Sequence, residues 1–236
     1  MSPLDPPIKG VEFQSDGHWS GMPCANVFLA YCNLRCPWCN AGQLVLEPHT
    51  LETLPLQVFF SEIEAIRQEH PELKAVCFTG GEPTMHRGLP DLIRQVGDMG
   101  LATCLETNGT QPHMLDYLIT NGILKYILLD LKAPLDDESY SKAVGVPMPA
   151  SIIRESLGQI KKMQTGHFIR TTVVPGISGE KEVPQMALQI KEMGFSRLDL
   201  NAFDSRQPLD PVMAHTRPYQ QEEIKRLQGA ADAIFS

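Results

Sequence analysis

Short apolar runs alternate with amphipathic helical segments along this chain, and this alternation restricts its fold more than any other feature. The runs lie at 25–31, 75–79, 102–106, 126–131, 168–174 and 198–203. Several of them are apolar at successive positions, as expected of strands covered on both faces. The segments between them repeat apolar residues at the spacing of one helix face, for example at 56–66, 89–99 and 183–193. The repetition of strand and helix predicts an α/β fold with a parallel sheet.

Glycines mark the expected helix ends, where a C-terminal cap needs a positive φ. They are Gly100, Gly122, Gly166 and Gly194. Six parallel units with right-handed crossovers give a curved sheet with outer helices, an open relative of the eightfold barrel. We therefore predict a single-domain partial (β/α)6 barrel over 1–236. Its core should span about 22–204, and 205–236 should form a loop and a C-terminal helix.

The length and net charge of the chain limit the number of domains and the classes of partner that we expect. The chain has 236 residues, of which 42% are hydrophobic, and a formal net charge of −8. This length can bury a full core as one domain. The absence of a broad basic field argues against nucleic acid as a partner. The sequence opens without a basic segment followed by an apolar run, and no run reaches about 18 apolar residues, so we expect a cytoplasmic protein with no membrane partner.

Three cysteines, Cys32, Cys36 and Cys39, fall within eight residues. Thiolates at this spacing can converge on one soft metal centre, and they are too close together for a paired disulfide framework. A ferredoxin-type cluster takes four cysteines and a structural zinc site takes four closed ligands. A triplet without a fourth cysteine therefore indicates a cluster with one open metal position.

Unusual polar residues follow the predicted strands, at the end where strand–helix barrels gather their catalytic groups. Gly80, Gly81 and Glu82 follow the second strand. Glycines allow a close backbone approach to a ligand, and a carboxylate can accept hydrogen bonds from an amine. The alternative is a glycine turn that caps a helix. Further polar segments follow the third and fourth strands, at 106–110 and 130–134.

The Cys-x3-Cys-x2-Cys spacing, with Trp38 before the last cysteine, resembles the cluster loop of the radical S-adenosylmethionine (SAM) enzymes. In that family three cysteines hold a 4Fe-4S cluster, and the amino and carboxylate groups of SAM chelate the fourth iron. The segment 80–83, Gly-Gly-Glu-Pro, resembles the family motif that binds the methionine amino group. The segments 130–132 and 170–176 resemble those of glycyl-radical enzyme activating enzymes, especially the activase of the anaerobic ribonucleoside-triphosphate reductase.

The resemblance implies a role for each matching residue. Cys32, Cys36 and Cys39 would be the metal ligands and the catalytic set, and Trp38 would lie on the SAM surface beside them. The residues implied for SAM are Gly80, Gly81, Glu82, Glu106, Asn108, Asp130, Lys132 and Arg170.

The charged members of this set suit SAM chemically. A carboxylate suits ribose hydroxyls and a lysine suits a carboxylate, so Asp130 and Lys132 fit the two ends of SAM. The alternative is a buried ion pair between them. Arg170 lies in a predicted core strand and needs an anionic partner, which could be SAM or Glu106.

The chain departs from the activase pattern at several positions. Such activases often have Gly where this chain has Tyr31, His where it has Asn40, and Asp where it has Glu106. A histidine that the family often supplies is absent from 201–204.

The activity implied by the resemblance is reductive cleavage of SAM at the cluster, followed by abstraction of a hydrogen atom from a glycine of a partner glycyl-radical enzyme. The expected partner is an anaerobic ribonucleotide reductase. Because only three cysteines are available for iron, the electron must come from outside, and a flavodoxin or ferredoxin is the expected donor.

Other interpretations remain open. The segment 106–110 also resembles the 7-carboxy-7-deazaguanine synthases, which act on a small pterin, although those enzymes usually follow the third cysteine with Asp and then Thr or Ser. This chain has Asn40 and Ala41 there. An iron-sulfur electron-transfer protein would keep the cluster without cleaving SAM, and His49 could complete a zinc-binding module. Cys24, Cys77 and Cys104 are expected to be buried packing residues.

Overall fold

The computed structural model describes residues 5–15, 22–163 and 166–236. The strands in these ranges are β1 Ile8–Gln14, β2 Cys24–Leu29, β3 Ala75–Gly80, β4 Ala102–Thr107, β5 Tyr126–Asp130, β6 His167–Val173 and β7 Asp199–Ala202. The α-helices are α1 Gly42–Leu46, α2 Leu56–Glu69, α3 Leu89–Asp98, α4 Pro112–Thr120, α5 Asp137–Val144, α6 Ala150–Ile160, α7 Glu182–Glu192 and α8 Gln221–Phe235. Short 3-10 segments lie at Pro48–Thr50, Pro83–Met85 and Pro211–His215.

The strands are hydrogen-bonded in the order of the sequence, from β1 to β7. The pairs β2–β3, β3–β4 and β6–β7 are parallel, and β1 runs antiparallel to β2. The α/β class and the mostly parallel sheet are confirmed. All six predicted strands are present, with bounds within two residues of those expected.

Strand β1 was not expected from the sequence. Its apolar alternation is weak, because Lys9 and Gly10 interrupt it, and the pairing with β2 shifts register between Ile8 and Gly10. Hydrogen bonds to β2 therefore stabilise a strand that its own residues barely indicate. The four predicted glycine caps do adopt positive φ.

Backbone contacts divide the chain into two compact units. The single domain expected from the sequence stays a prediction. The first comprises Met1–Asn33, Gln43–Thr107 and Tyr117–Ile127. In it, α2 packs against β1 and α3 packs against β4. The buried side chains of α3 are Leu89, Pro90, Leu92, Ile93 and Val96. They form one face of the helix, as the apolar spacing predicts.

The second unit comprises Leu34–Gly42, Asn108–Asp116 and Leu128–Ser236. In it, α8 packs against α7 and β7. The Gln228 amide on α8 donates to the Leu198 carbonyl and accepts from the Leu200 N–H, so polar bonds also join α8 to β7. Leu227 is buried, whereas Ile224 and Ile234 are only partly buried.

No helix in the described part of the chain is long and apolar enough to cross a membrane.

A core leucine and a surface leucine should differ sharply when each is truncated. Leu92 on α3 is 1% exposed and Leu188 on α7 is 49% exposed. We expect Leu92→Ala to lower the free energy of unfolding by about 2–5 kcal/mol, because it leaves a cavity under α3. Leu188→Ala should change it by less than about 0.5 kcal/mol. Chemical denaturation followed by circular dichroism measures both, and equal losses would contradict the packing described here.

Candidate active site

The three loop cysteines lie between β2 and α1. Cys36 and Trp38 are buried, and Cys32 and Cys39 are partly exposed. None of the six cysteines forms a disulfide bond. Within the described ranges, no group of three or more His, Cys, Asp or Glu side chains is arranged to hold a metal ion. The ligand roles of Cys32, Cys36 and Cys39 therefore stay a prediction.

In the second unit, the chain around Cys36 is held by backbone contacts on two sides. The Arg35 N–H donates to the Val144 carbonyl over 2.8 Å, and the Asp210 N–H donates to the Pro37 carbonyl over 2.9 Å. Gly145, the C-cap of α5, has a left-handed φ of 69°, and a Cβ there would overlap the Arg35 carbonyl oxygen. Helix α5 and the segment at Asp210 thus fix the backbone on both sides of Cys36.

In the first unit, the glycines of the Gly-Gly-Glu segment pack against the end of β2. The Gly81 N–H donates to the Leu29 carbonyl over 2.8 Å, and the Glu82 N–H donates to the Tyr31 carbonyl over 2.7 Å. A Cβ on Gly80 would lie 2.5 Å from the Leu29 oxygen, and one on Gly81 would overlap the Tyr31 oxygen. Glycine is therefore required at both positions because the backbone at the end of β2 packs directly against them. Their contact with a ligand stays a prediction.

Tyr31, directly before Cys32, has a left-handed φ of 70° and is 48% exposed. A bulky side chain is uncommon in this conformation, which costs roughly 1–2 kcal/mol. The bonds of its backbone to Glu82 and to Leu44, over 2.7 and 2.9 Å, hold it there. The position thus needs the conformation that glycine adopts freely, and glycine is the residue that many activases have there.

His86 also contacts the end of β2. Its Nε2 lies 2.8 Å from the Ala30 carbonyl oxygen, and its ring centroid lies 6.5 Å from that of Tyr31. Burial lowers the pKa of His86, although the bond to Ala30 opposes that effect. A neutral imidazole that donates through Nε2 is therefore favoured at neutral pH.

Glu82 is fully buried, and its carboxylate is held by threonines. Its Oε1 accepts from the Thr84 N–H over 3.1 Å, from the Thr84 hydroxyl, and from the Thr107 hydroxyl over 2.7 Å. These bonds fix the orientation of the carboxylate before any ligand arrives. No role was assigned to either threonine from the sequence. Thr84 stands two residues after Glu82, which is a recognisable turn signal, whereas the contact of Thr107 with Glu82 spans 25 residues and has no local signal.

Glu106 lies at the end of β4 and is buried. Its Oε2 accepts from the Thr79 hydroxyl over 2.7 Å. In the second unit, Asn108 forms a local turn, since its Oδ1 accepts from the Thr110 N–H over 3.0 Å and from the Thr110 hydroxyl over 2.7 Å. The role of each in binding SAM stays a prediction.

The remaining charged residues form an ion triad in the second unit. Arg170 donates from Nε to Oδ1 of Asp130 over 2.7 Å and from Nη2 to Oδ2 over 3.0 Å. Lys132 Nζ lies 3.3 Å from the same Oδ2. Burial alone would raise the pKa of Asp130, but the charges of Lys132 and then Arg170 outweigh it, so this pKa lies well below its usual range. Asp130 is thus one anion that Arg170 pairs with, and the ion pair between Asp130 and Lys132, given above as an alternative, is present.

Lys132 also lies close to the cysteine loop. Burial would lower its pKa, but the negative charges of Asp130 and Cys36 raise it above its usual range. The buried Tyr140 hydroxyl lies 3.4 Å from the Lys132 N–H, and burial raises the pKa of that phenol. Three cysteines on one loop, with the Lys132 ammonium within electrostatic reach of the middle one, fit an anionic iron-sulfur cluster.

The family model of the radical SAM superfamily matches residues 26–187. Because this match covers well over half of the chain, the protein belongs to the radical SAM superfamily. The family resemblance drawn from the cysteine loop and the Gly-Gly-Glu segment is confirmed at that level.

Particular relatives narrow the comparison. The chain is 27% identical over 225 residues to a Methanocaldococcus jannaschii protein provisionally named a glycyl-radical enzyme activating enzyme; the alignment covers 93% of this chain and 85% of that protein. It is 28% identical to the 7-carboxy-7-deazaguanine synthase of Aquifex aeolicus, over 76% of this chain and 80% of that protein.

Among solved structures, a radical SAM methyltransferase from Sphaerobacter thermophilus matches with a TM-score of 0.70 at 15% identity, over 95% of this chain and 66% of that one. At this identity the likeness shows the fold alone. It confirms the predicted fold class.

Two glycines with left-handed backbone offer a matched test of how α5 holds the cysteine loop. Gly145 would carry a Cβ into Arg35, whereas Gly122, with a φ of 63°, has nothing within 4 Å of that position. Both alanine variants should lose stability through backbone strain, and Gly145→Ala should lose more because its Cβ also meets the Arg35 backbone. We expect only Gly145→Ala to lower the iron and sulfide retained after reconstitution and to alter the electron paramagnetic resonance spectrum of the reduced protein. Equal retention in both variants would contradict a role for α5 in placing Cys36.

Removing the shared anion of the triad should destabilise the protein. We expect Asp130→Asn to lower the free energy of unfolding by about 3 kcal/mol, because it leaves Lys132 and Arg170 as adjacent, partly buried cations. Asp204 forms a comparable pair with Arg206 on the surface, and Asp204→Asn should have little effect. Urea titration of both variants at neutral pH makes the comparison, and similar midpoints would show that Asp130 is not required for the triad's stability.

Proposed function

We propose that this radical SAM protein is an activating enzyme that abstracts a hydrogen atom from a backbone glycine of a glycyl-radical enzyme. The observation that carries the SAM half of this proposal is the Lys132 ammonium, which is paired with Asp130 and lies within electrostatic reach of Cys36. Asp130 is in turn paired with Arg170. A cation at that point can receive the carboxylate of SAM next to the thiol loop. The assignment of a glycine as the site of hydrogen abstraction is supported by the Methanocaldococcus jannaschii relative, which aligns with 93% of the chain.

The residues present fit both groups. Cys32, Cys36 and Cys39 would hold a 4Fe-4S cluster, with Trp38 beside it. Glu82, Lys132 and the other strand-end residues predicted from the sequence would hold SAM. Bound together, the cluster and SAM would supply one electron and a carbon-centred radical able to take a hydrogen atom.

The task of the chain itself is orientation. Glu82 enters the reaction already fixed by Thr84 and Thr107, so it can receive an amino group without reorganising. Lys132 is held by Asp130 at its ammonium and contacted by Tyr140 at its N–H. We infer that this preorganisation keeps the methionine end of SAM in one pose while water is excluded.

The proposed partners follow from the proposed activating-enzyme function. The glycine would belong to an anaerobic ribonucleotide reductase, and a flavodoxin or ferredoxin would deliver the electron. The cytoplasm is the proposed location.

A second candidate function is that of a 7-carboxy-7-deazaguanine synthase. The observation that favours it is the 28% identity to the Aquifex aeolicus enzyme over 76% of this chain. Asn40 and Ala41 stand where those synthases usually have Asp and then Thr or Ser, which supports the activase instead. Magnesium-dependent turnover of a small pterin would favour the synthase.

The first test is formation of 5′-deoxyadenosine from SAM by anaerobically reconstituted, dithionite-reduced protein. We expect Cys36→Ala to lower it by at least about a hundredfold, because one cluster ligand is lost. Iron and sulfide are quantified on the same samples, and circular dichroism checks the fold. Unchanged cleavage in Cys36→Ala would refute the cluster assignment.

The second test addresses the partner. Wild-type protein is mixed with SAM, a reductant and an anaerobic ribonucleotide reductase, and the glycyl radical is sought by electron paramagnetic resonance. A radical that needs both proteins supports the activase. Uncoupled SAM cleavage with no radical on the reductase, together with pterin turnover, would replace the activase with the synthase.

A further inference from the structure

Helix α5 contacts two segments of the second unit through one turn of its own chain. The Tyr140 hydroxyl accepts from the Lys132 N–H over 3.4 Å. The Val144 carbonyl accepts from the Arg35 N–H over 2.8 Å, directly before Cys36. Tyr140 and Val144 are four residues apart, so they lie on one face of the helix, about 6 Å apart along its axis. One helix therefore fixes the backbone of Lys132 relative to the cysteine loop.

The helix is well fixed for its length of eight residues. Tyr140, Ala143 and Val144 are buried. At its start the Asp136 carboxylate accepts from the Ser139 N–H over 2.8 Å, and at its end Gly145 adopts the left-handed conformation of a C-cap. Because caps at both ends oppose fraying, α5 is a rigid spacer between the two segments.

The ion triad carries a net positive charge. Lys132 and Arg170 are cations and Asp130 is the one anion among the three, so their charges sum to +1. Their side chains are only 15%, 10% and 21% exposed, in that order, and solvent therefore screens the charge weakly. Burial opposes the charge of Lys132, but Asp130 and then Cys36 raise its pKa above the usual range, and it is an ammonium at neutral pH.

A fixed cation at this position affects electron transfer. Reduction adds one negative charge to an iron-sulfur cluster, and the reduction potential depends on the charges, hydrogen bonds and burial around it. A nearby cation stabilises the reduced form more than the oxidised form. The triad can therefore do more than receive a carboxylate.

We propose that the Lys132 ammonium raises the reduction potential of the cluster held at Cys36, and that Tyr140 is the positioning residue that keeps Lys132 in place. One electron passes from an outside donor to the cluster, and no bond is made or broken. The inference rests on the cluster ligands of the proposed function. It does not depend on which substrate loses the hydrogen atom.

The first test removes or keeps the charge. Lys132→Met removes it and Lys132→Arg keeps it. Lys142→Met is the control, because it removes a lysine that is exposed on the same helix. The reduction potential of reconstituted protein without SAM is measured by a redox titration followed by electron paramagnetic resonance. We expect Lys132→Met to lower the equilibrium constant for reduction about tenfold, or about 59 mV for one electron. The other two variants should change it by less than about threefold.

The second test addresses Tyr140. Tyr140→Phe removes only the hydroxyl, and Tyr219→Phe is the control, since none of the charged groups that act on Tyr219 in the described residues is a cysteine. We expect Tyr140→Phe to lower the same equilibrium constant about threefold and Tyr219→Phe to leave it unchanged. Because Tyr140 acts through Lys132, adding Tyr140→Phe to Lys132→Met should cause no further shift. Additive shifts would overturn the positioning role.

The outcomes separate this inference from the proposed function. Iron, sulfide and Tm are measured on every sample, and potentials are compared between variants that retain the cluster. If Lys132→Met keeps the wild-type potential, or if Lys132→Arg falls as far as Lys132→Met, the inference is overturned and the activase proposal stands. If Lys132→Met retains no cluster, the shift in Tyr140→Phe decides.

The potentials can shift as expected while no glycyl radical forms on the reductase. The activase proposal then fails and this inference stands. A wild type that binds no iron-sulfur cluster overturns both.

Discussion

The close approach of two backbone segments underlies the rest of the site. The Gly80–Gly81 turn after β3 lies against Leu29 and Tyr31 at the end of β2, at a separation that excludes any Cβ. Two N–H groups of the turn bond to carbonyls of that segment. One contact therefore fixes both the buried Glu82 carboxylate and the backbone that leads into Cys32. Packing of the main chain, rather than a salt bridge, holds Glu82 against the segment that leads into Cys32.

Sequence reasoning reached the fold because the relevant signals are local. The apolar runs that became β3 and β4 and the stripe of α3 are set by side-chain period alone, and the structure reproduces them. Strand β1 lacked such a signal, since only its pairing with β2 makes it a strand. The sequence predicted part of the ion triad. An ion pair between Asp130 and Lys132 was one of the two alternatives, because the two residues are close in the sequence. Arg170 lies on another strand, and sequence spacing cannot show that it pairs with Asp130.

The second unit illustrates how a site depends on residues with no chemistry of their own. Gly145 and Val144 carry no reactive group, yet they fix the backbone beside Cys36. Tyr140, on the same helix, is buried against the Lys132 N–H. The short helix α5 therefore helps to position the backbone of both Cys36 and Lys132. No motif search would select these positions, because their contribution lies in backbone shape and burial.

Tyr31 shows what a sequence motif records. Its φ of 70° lies in the left-handed region that glycine enters without strain, so a glycine could occupy this position in the same backbone conformation. A profile that demands glycine before the first cysteine would reject this chain, whereas a description in terms of backbone conformation would accept it. The half-exposed tyrosine ring is also a feature that glycine cannot supply, and it gives this chain an aromatic group directly before the first cysteine of the loop.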